Sequence, residues 1–173
     1  MLLRRYAAYM VDVLMGFALF VALQLLVFVP LRSALGIGED WFHSGWNTQL
    51  YTLLTASLPV WAYFTLTQAS AAQATLGMRF LGLKLRDLRH TSPVSLGQAF
   101  VRSLVLLLPW ELAHVTNNFP IPLWFDPQPE FRLGFALVGL LGSLTLALIL
   151  FRQDKRGLHD LAAGTEIVQR KKA

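Results

Sequence analysis

The chain has 173 residues, of which 55% are hydrophobic and only 14% charged, with no cysteine and a formal net charge of +5. Together with a mean hydropathy of +0.50, this is more apolar surface than a domain of that size can bury, so lipid is the expected solvent. The lack of cysteine excludes disulfide scaffolds, thiolate metal sites and thiol nucleophiles.

The first apolar run covers residues 6–29, about 36 Å of helix at 1.5 Å per residue, which spans a bilayer with some tilt. It follows Arg4 and Arg5, but it is too long for a signal peptide and has no small-residue cleavage site at its end. Pro30 is expected to stop it, and the glycines and acids up to Asn47 read as an external loop. A second span is expected over residues 48–67, kinked near Pro59.

Residues 68–94 carry Arg79, Lys84, Arg86, Asp87, Arg89 and His90 and cannot cross a membrane. Within them Leu81, Leu83 and Leu85 alternate with Gly82, Lys84 and Arg86, the period of a half-buried strand. Ser95 and Gln98 have capping-box spacing and open a third span over residues 95–112. Residues 113–132, with Pro120, Pro122, Pro127 and Pro129, read as an irregular external loop. A fourth span covers residues 133–151, and the tail 152–173 is basic, with a second short strand at Thr165–Gln169. The expected fold class is therefore an all-α membrane protein, a four-transmembrane-helix bundle with a small two-stranded cytoplasmic β element, forming one domain over residues 1–173.

Charge sets the orientation. Arg4, Arg5, Arg79, Lys84, Arg86, Arg89, Arg152, Lys155, Arg156, Arg170, Lys171 and Lys172 fall on one face of this topology and only Arg32 and Arg132 on the other. By the positive-inside rule both termini are cytoplasmic in a bacterial inner membrane. Trp41, Trp46, Trp110 and Trp124 collect at the opposite boundary. The high pI is thus a topological signal that draws anionic lipid to the cytoplasmic face, and no nucleic-acid partner is expected.

Two ionised side chains lie where hydrocarbon makes them expensive. Asp12 is about 9 Å into the first span and Arg102 about 10 Å into the third, both measured from the cytoplasmic side. Charges at matching depth on different helices predict a pair facing the interior. Arg5 shares the face of Asp12, and Gln98 that of Arg102. Gly139, Ser143 and Ala147 make a small-residue stripe on the last span.

Asp160 in the tail is expected to reach these arginines, with His159 beside it. No serine, cysteine or further ligand completes a triad or a metal site around His159 and Asp160, and His43, His90 and His114 are scattered. No enzyme activity, metal or cofactor is expected. The spacing Gly77, Gly82, Lys84 misses a phosphate loop by one intervening residue, Leu83.

Three ordered stretches resemble the RDD family of bacterial membrane proteins, named for one arginine and two aspartates. RRYAAYMVD over residues 4–12 is similar to its opening pattern, with Arg5 and Asp12 in the places of the R and the first D. ATLGMRFLGLKLRD over residues 74–87 is similar to its Thr-Leu-Gly linker and strand, and GLHDLAAGTEIV over residues 157–168 to its closing motif, which gives Asp160 the place of the second D. Arg102 falls where the family also tends to carry an arginine. The linker departs from the usual pattern in having Met78 where lysine is commoner.

The resemblance implies transport of an ion or small ligand, cation/proton exchange being its sharpest version, through a buried polar centre of Arg5, Asp12, Arg102 and Asp160 supported by Gln98 and His159. The alternative is a non-transporting structural or assembly factor. Four helices are few for a solitary transporter, so a homo-oligomer or a membrane-protein partner is expected.

Overall fold

The computed structural model describes residues 2–89, 93–128 and 130–170. His90, Pro129, Lys171 and Lys172 lie outside the described residues.

The first helical run starts in α1 (Leu2–Leu23), widens into a π-helical segment (Gln24–Phe28) and continues as α2 (Val29–Ala34). Pro30 therefore does not end it. The Val29 N–H donates to the Gln24 carbonyl, and the proline, which has no N–H to give, falls in the first turn of α2. The same arrangement recurs in the next run: α3 (Gly45–Thr52), a π-helical segment (Leu53–Ser57) and α4 (Leu58–Ala69), with Pro59 in the first turn of α4. One widened turn lets the helix absorb a proline that would otherwise remove a hydrogen bond and clash with the preceding turn. A 3-10 turn at Glu39–His43 joins the two runs.

Among the described residues, three helical runs are long and apolar enough to cross a membrane: Leu2–Ala34, Leu96–Asn118 and Leu133–Phe151. This corrects the four-span expectation. Residues 45–69 are helical almost without break, but Asn47, Thr48, Gln49, Tyr51, Thr52, Thr55, Ser57, Tyr63, Thr65, Thr67 and Gln68 make the run too polar to belong to that set. It packs instead against α1 and the later helices, with Thr48, Thr55, Thr65 and Gln68 buried.

After it come α5 (Leu76–Phe80), β1 (Leu83–Asp87), α6 (Leu96–Asn118), α7 (Leu133–Phe151), α8 (Leu158–Ala163) and β2 (Thr165–Gln169). Leu81 closes α5 rather than opening the strand, and Gly82 turns the chain with φ +67. The strands pair antiparallel with Leu85 opposite Ile167. Helix α6 runs six residues past the expected end of the third span. Beyond it, Arg132 donates to the carbonyls of Thr116, Asn117 and Ile121 and pairs with Asp126, so one guanidinium caps the helix and folds the loop.

The apolar core lies at one end. Ala8, Ala74, Met78, Leu83, Leu85, Val94 and Ala99 cluster where α1, α5, β1 and α6 meet. Elsewhere large apolar side chains point outward, among them Leu14, Phe17, Leu26, Leu137, Leu140 and Leu146, and α7 has no buried residue. Such a surface suits a hydrocarbon solvent. Trp110 departs from the expected outer belt, since its indole N–H donates to the Tyr9 hydroxyl of α1.

Candidate functional site

The expected polar residues gather at the end where the core lies, in two adjoining clusters. Asp12 is 3% exposed. Its Oδ1 accepts from the Tyr63 hydroxyl and from the Gly77 N–H, both at 2.8 Å, and its Oδ2 from the Thr75 hydroxyl. Tyr63 Oη also accepts from the Leu76 N–H at 3.0 Å, and Thr75 Oγ1 from the Met78 N–H at 3.2 Å.

The Thr-Leu-Gly stretch is thus a short helix start docked on a carboxylate. Thr75 caps it, and the free amides of its first turn face Asp12. Glycine is required at the third position because a Cβ on Gly77 would stand 2.1 Å from the Ala8 carbonyl oxygen.

Arg102 and Asp160 form the second cluster. Arg102 Nε is 3.0 Å from Asp160 Oδ1, and the two side chains are 4% and 1% exposed. The other oxygen, Oδ2, accepts from the Gly157 N–H at 3.4 Å and lies 3.5 Å from His159 Nε2. Asp160 sits in the first turn of α8, where the helix dipole favours a negative charge. Burial pushes its carboxyl up, but the Arg102 guanidinium, His159 and the Gly157 N–H outweigh that and hold it below the ordinary value. Burial, with Arg102 nearby, lowers the His159 imidazole to about 4.

Arg5 links the start of α1 to the tail. One guanidinium nitrogen donates to the Lys155 carbonyl and the other to the Ile167 carbonyl at 2.7 Å. Gln98 accepts from the Ser95 N–H to complete the capping box, and it donates to Asp87 at 2.9 Å and to the Ala163 carbonyl at 3.3 Å. One glutamine therefore joins α6, β1 and α8.

The expected Asp12–Arg102 pair does not form. Among the described residues Asp12 has neutral partners only, and Arg102 is paired with Asp160. Equal depth put both charges at one level, but helix rotation turns Asp12 toward α5 and Arg102 toward α8. Arg5, Gln98 and His159 are drawn into the same end of the molecule.

Sequence reasoning passed over a further set at mid-run. Glu111 and His114, one turn apart on α6, meet Ser57 and Gln49. Their i, i+3 spacing inside an apolar helix was the available signal. Among the described residues, no group of three or more His, Cys, Asp or Glu is placed to hold a metal ion.

An open surface cavity of about 460 Å³ borders the second cluster and is lined by Asp87, Arg89, Ser95, Gln98, Val101 and Ala163 among others. Asp12, Arg102 and Asp160 do not line it.

A family model described as the RDD family matches residues 1–164. No curated protein and no solved structure matches the chain.

Proposed function

The chain belongs to the RDD family, and from that premise we propose that its buried charges are a latch: they hold the cytoplasmic strands and short helices against the membrane helices, and the protein serves as a structural or assembly element of the bacterial inner membrane. The observation that carries this reading is the sealing of the Arg102–Asp160 pair, 4% and 1% exposed, neither residue lining the open cavity that borders the cluster. Ions that are taken up and released need a route to water, whereas a brace does not. Both termini are read as cytoplasmic, because Arg5 binds the Ile167 carbonyl and so brings the two ends of the chain to the same side, where the basic residues concentrate. That surface would draw anionic lipid at about 1 kcal/mol per basic residue near the headgroups, and it would offer the strands to a membrane-protein partner or a second copy.

A charge reversal tests the latch. Arg102→Asp or Asp160→Arg alone should abolish folded protein, and the two together should restore protein level and cellular phenotype in parallel. Restored level with a lost phenotype would sink the reading.

One observation favours transport instead. Gln68, 0% exposed, leaves both amide atoms unpaired among the described residues, and so does the hydroxyl of Ser103, also 0% exposed. Buried polar atoms of this kind call for a water or an ion. Transport requires uptake of Na⁺ or K⁺ into proteoliposomes driven by a pH gradient, and absence of flux across a pH series would exclude cation exchange.

A further inference from the structure

Glu111 and His114 lie inside the span Leu96–Asn118, further along the helix than Arg102 and with a set of partners separate from the latch. Each side chain is 33% exposed, unlike the sealed Asp160. Glu111 Oε1 accepts from the Gln49 amide at 2.7 Å, and Oε2 accepts from the Ser57 hydroxyl at 2.5 Å. His114 Nδ1 is 3.4 Å from Ser57 Oγ and 3.6 Å from Glu111 Oε2. Asn118 fixes Gln49 from the other side by donating to its Oε1 at 2.9 Å. Ser57 is the last residue of the π-helical segment Leu53–Ser57, and the Thr55 hydroxyl in the same segment, in a residue 1% exposed, has no partner among the described residues. Widened turns of this kind are frequent at functional sites.

The chemistry of the group is narrow. A neutral acceptor such as glutamine could anchor Ser57, so what the carboxylate adds is the capacity to bind a proton. An ionisable pair within a span is otherwise costly. Ser57 is committed as a donor to Glu111, which leaves its lone pairs for His114 Nδ1.

We propose that Glu111, Ser57 and His114 form a proton-binding site within the helices, in which a proton passes between His114 and Glu111 through the Ser57 hydroxyl. In the forward direction the imidazolium Nδ1–H bond breaks and its proton joins Ser57 Oγ, while the proton already on that oxygen moves to Glu111 Oε2. Imidazolium and carboxylate become imidazole and carboxylic acid, and serine is regenerated.

Few other ionisable groups approach the site. Helix α7, packed along α6, has no titratable residue. Helix α3 brings Gln49 and Tyr51, the latter donating to Gln24. On α4 Tyr63 is engaged with Asp12, Tyr9 of α1 holds the neighbouring Trp110, and Arg102 further down α6 is paired with Asp160, so α8 and its His159 act at that lower level. His114 and Glu111 are therefore each other's nearest charged partner.

The test is a ¹⁵N-histidine NMR titration of the full chain in lipid nanodiscs, with the His114 resonance assigned by its loss in His114→Gln. The His114 resonance should respond to pH in the wild type, and that response should change in Glu111→Gln, because the carboxylate beside Nδ1 is gone. If Glu111→Gln does not fold, Glu111→Asp, which withdraws the charge by one methylene, should change that response in the same sense by less. A response to pH identical to the wild type in either variant, or a wild-type resonance that does not respond to pH, overturns the proposal. These outcomes are read from a resonance and not from protein level, so they are separate from the fate of the latch.

Discussion

Asp160 and Glu111 are both carboxylates held by side chains from other helices, yet they occupy opposite environments. Asp160 is enclosed at the end of the molecule, with a guanidinium and a short helix N-terminus around it, and its side chain is 1% exposed. Glu111 sits midway along the helices with neutral donors and a histidine, and a third of its side chain is exposed. Enclosure makes the first charge dependent on its partner, since either alone would be an ion out of water. The second has neutral donors and a histidine about it, so the proposed change of protonation would not leave a paired guanidinium behind. Rigid bracing and proton exchange place contrary demands on burial, and the two proposed sites lie little more than two turns apart along α6.

The contrast is broken most directly at Arg102. Removing one member of a buried pair costs about 3 to 5 kcal/mol because the other is left uncompensated. Arg102→Ala is therefore expected to eliminate most folded protein, measured by thermal unfolding in detergent followed by gel-filtration fluorescence. Arg102→Met combined with Asp160→Leu replaces the ions by apolar volume and should recover most of the loss. If the double variant is as unstable as the single one, the pair is not a latch.

Acid should act on the same end. His159 is held neutral in the folded protein, its imidazole lowered to about 4 from 6.5. The unfolded chain thus takes up a proton first as pH falls. Stability should be constant above about 6.5, decline between there and about 4, and change no further for this group below that, a total of roughly 3 kcal/mol. Asp160, whose carboxyl is lowered, adds its own loss only further into acid. Midpoints of chemical unfolding across pH 4 to 7 should show the decline in the wild type and a flatter profile in His159→Gln.

Charge placement and the three motifs in order were legible because they depend on residue type and position along the chain. Rotation about a helix axis was not, which is why Asp12 and Arg102 seemed partners until α5 and α8 took one each. Those two helices have five and six residues, too short for a periodic pattern and stable only by docking. The polar run 45–69 exposed itself through its threonines, glutamines and tyrosines, but counting apolar length alone admitted it as a span. Both π-helical segments precede prolines by two residues, a pattern the sequence displays without saying that the helix would continue. Glu111 and His114 were visible as a spaced pair, but Ser57 is 54 residues from Glu111, and no local rule joins them.

Glycines sharpen the comparison at a smaller scale. A Cβ on Gly77 would collide with the Ala8 backbone, whereas one on Gly139 of α7 would meet nothing within 4 Å. Gly77→Ala should therefore destabilise by about 1 to 3 kcal/mol through overpacking against Asp12 and α1. Gly139→Ala should instead stabilise by about 0.5 to 1 kcal/mol, as alanine is the better helix former. Opposite shifts of the unfolding temperature are expected from the same chemical change. Equal shifts would mean that α5 is not pressed against α1.

The smallest loss of stability belongs to Glu111→Gln. The substitution keeps the shape and one acceptor oxygen, so the Ser57 hydroxyl still has a partner. The new amide must share the approach of Gln49, whose own oxygen is occupied by Asn118, and one hydrogen bond is weakened. A loss of about 0.5 to 1.5 kcal/mol follows, partly offset because the ionised group no longer has to be kept within the helices. Its unfolding midpoint should also keep the acid decline that His159 causes, since the two residues do not touch. A loss as large as that of Arg102→Ala would show that Glu111 is a brace like Asp160, and the division of labour along α6 would fall with it.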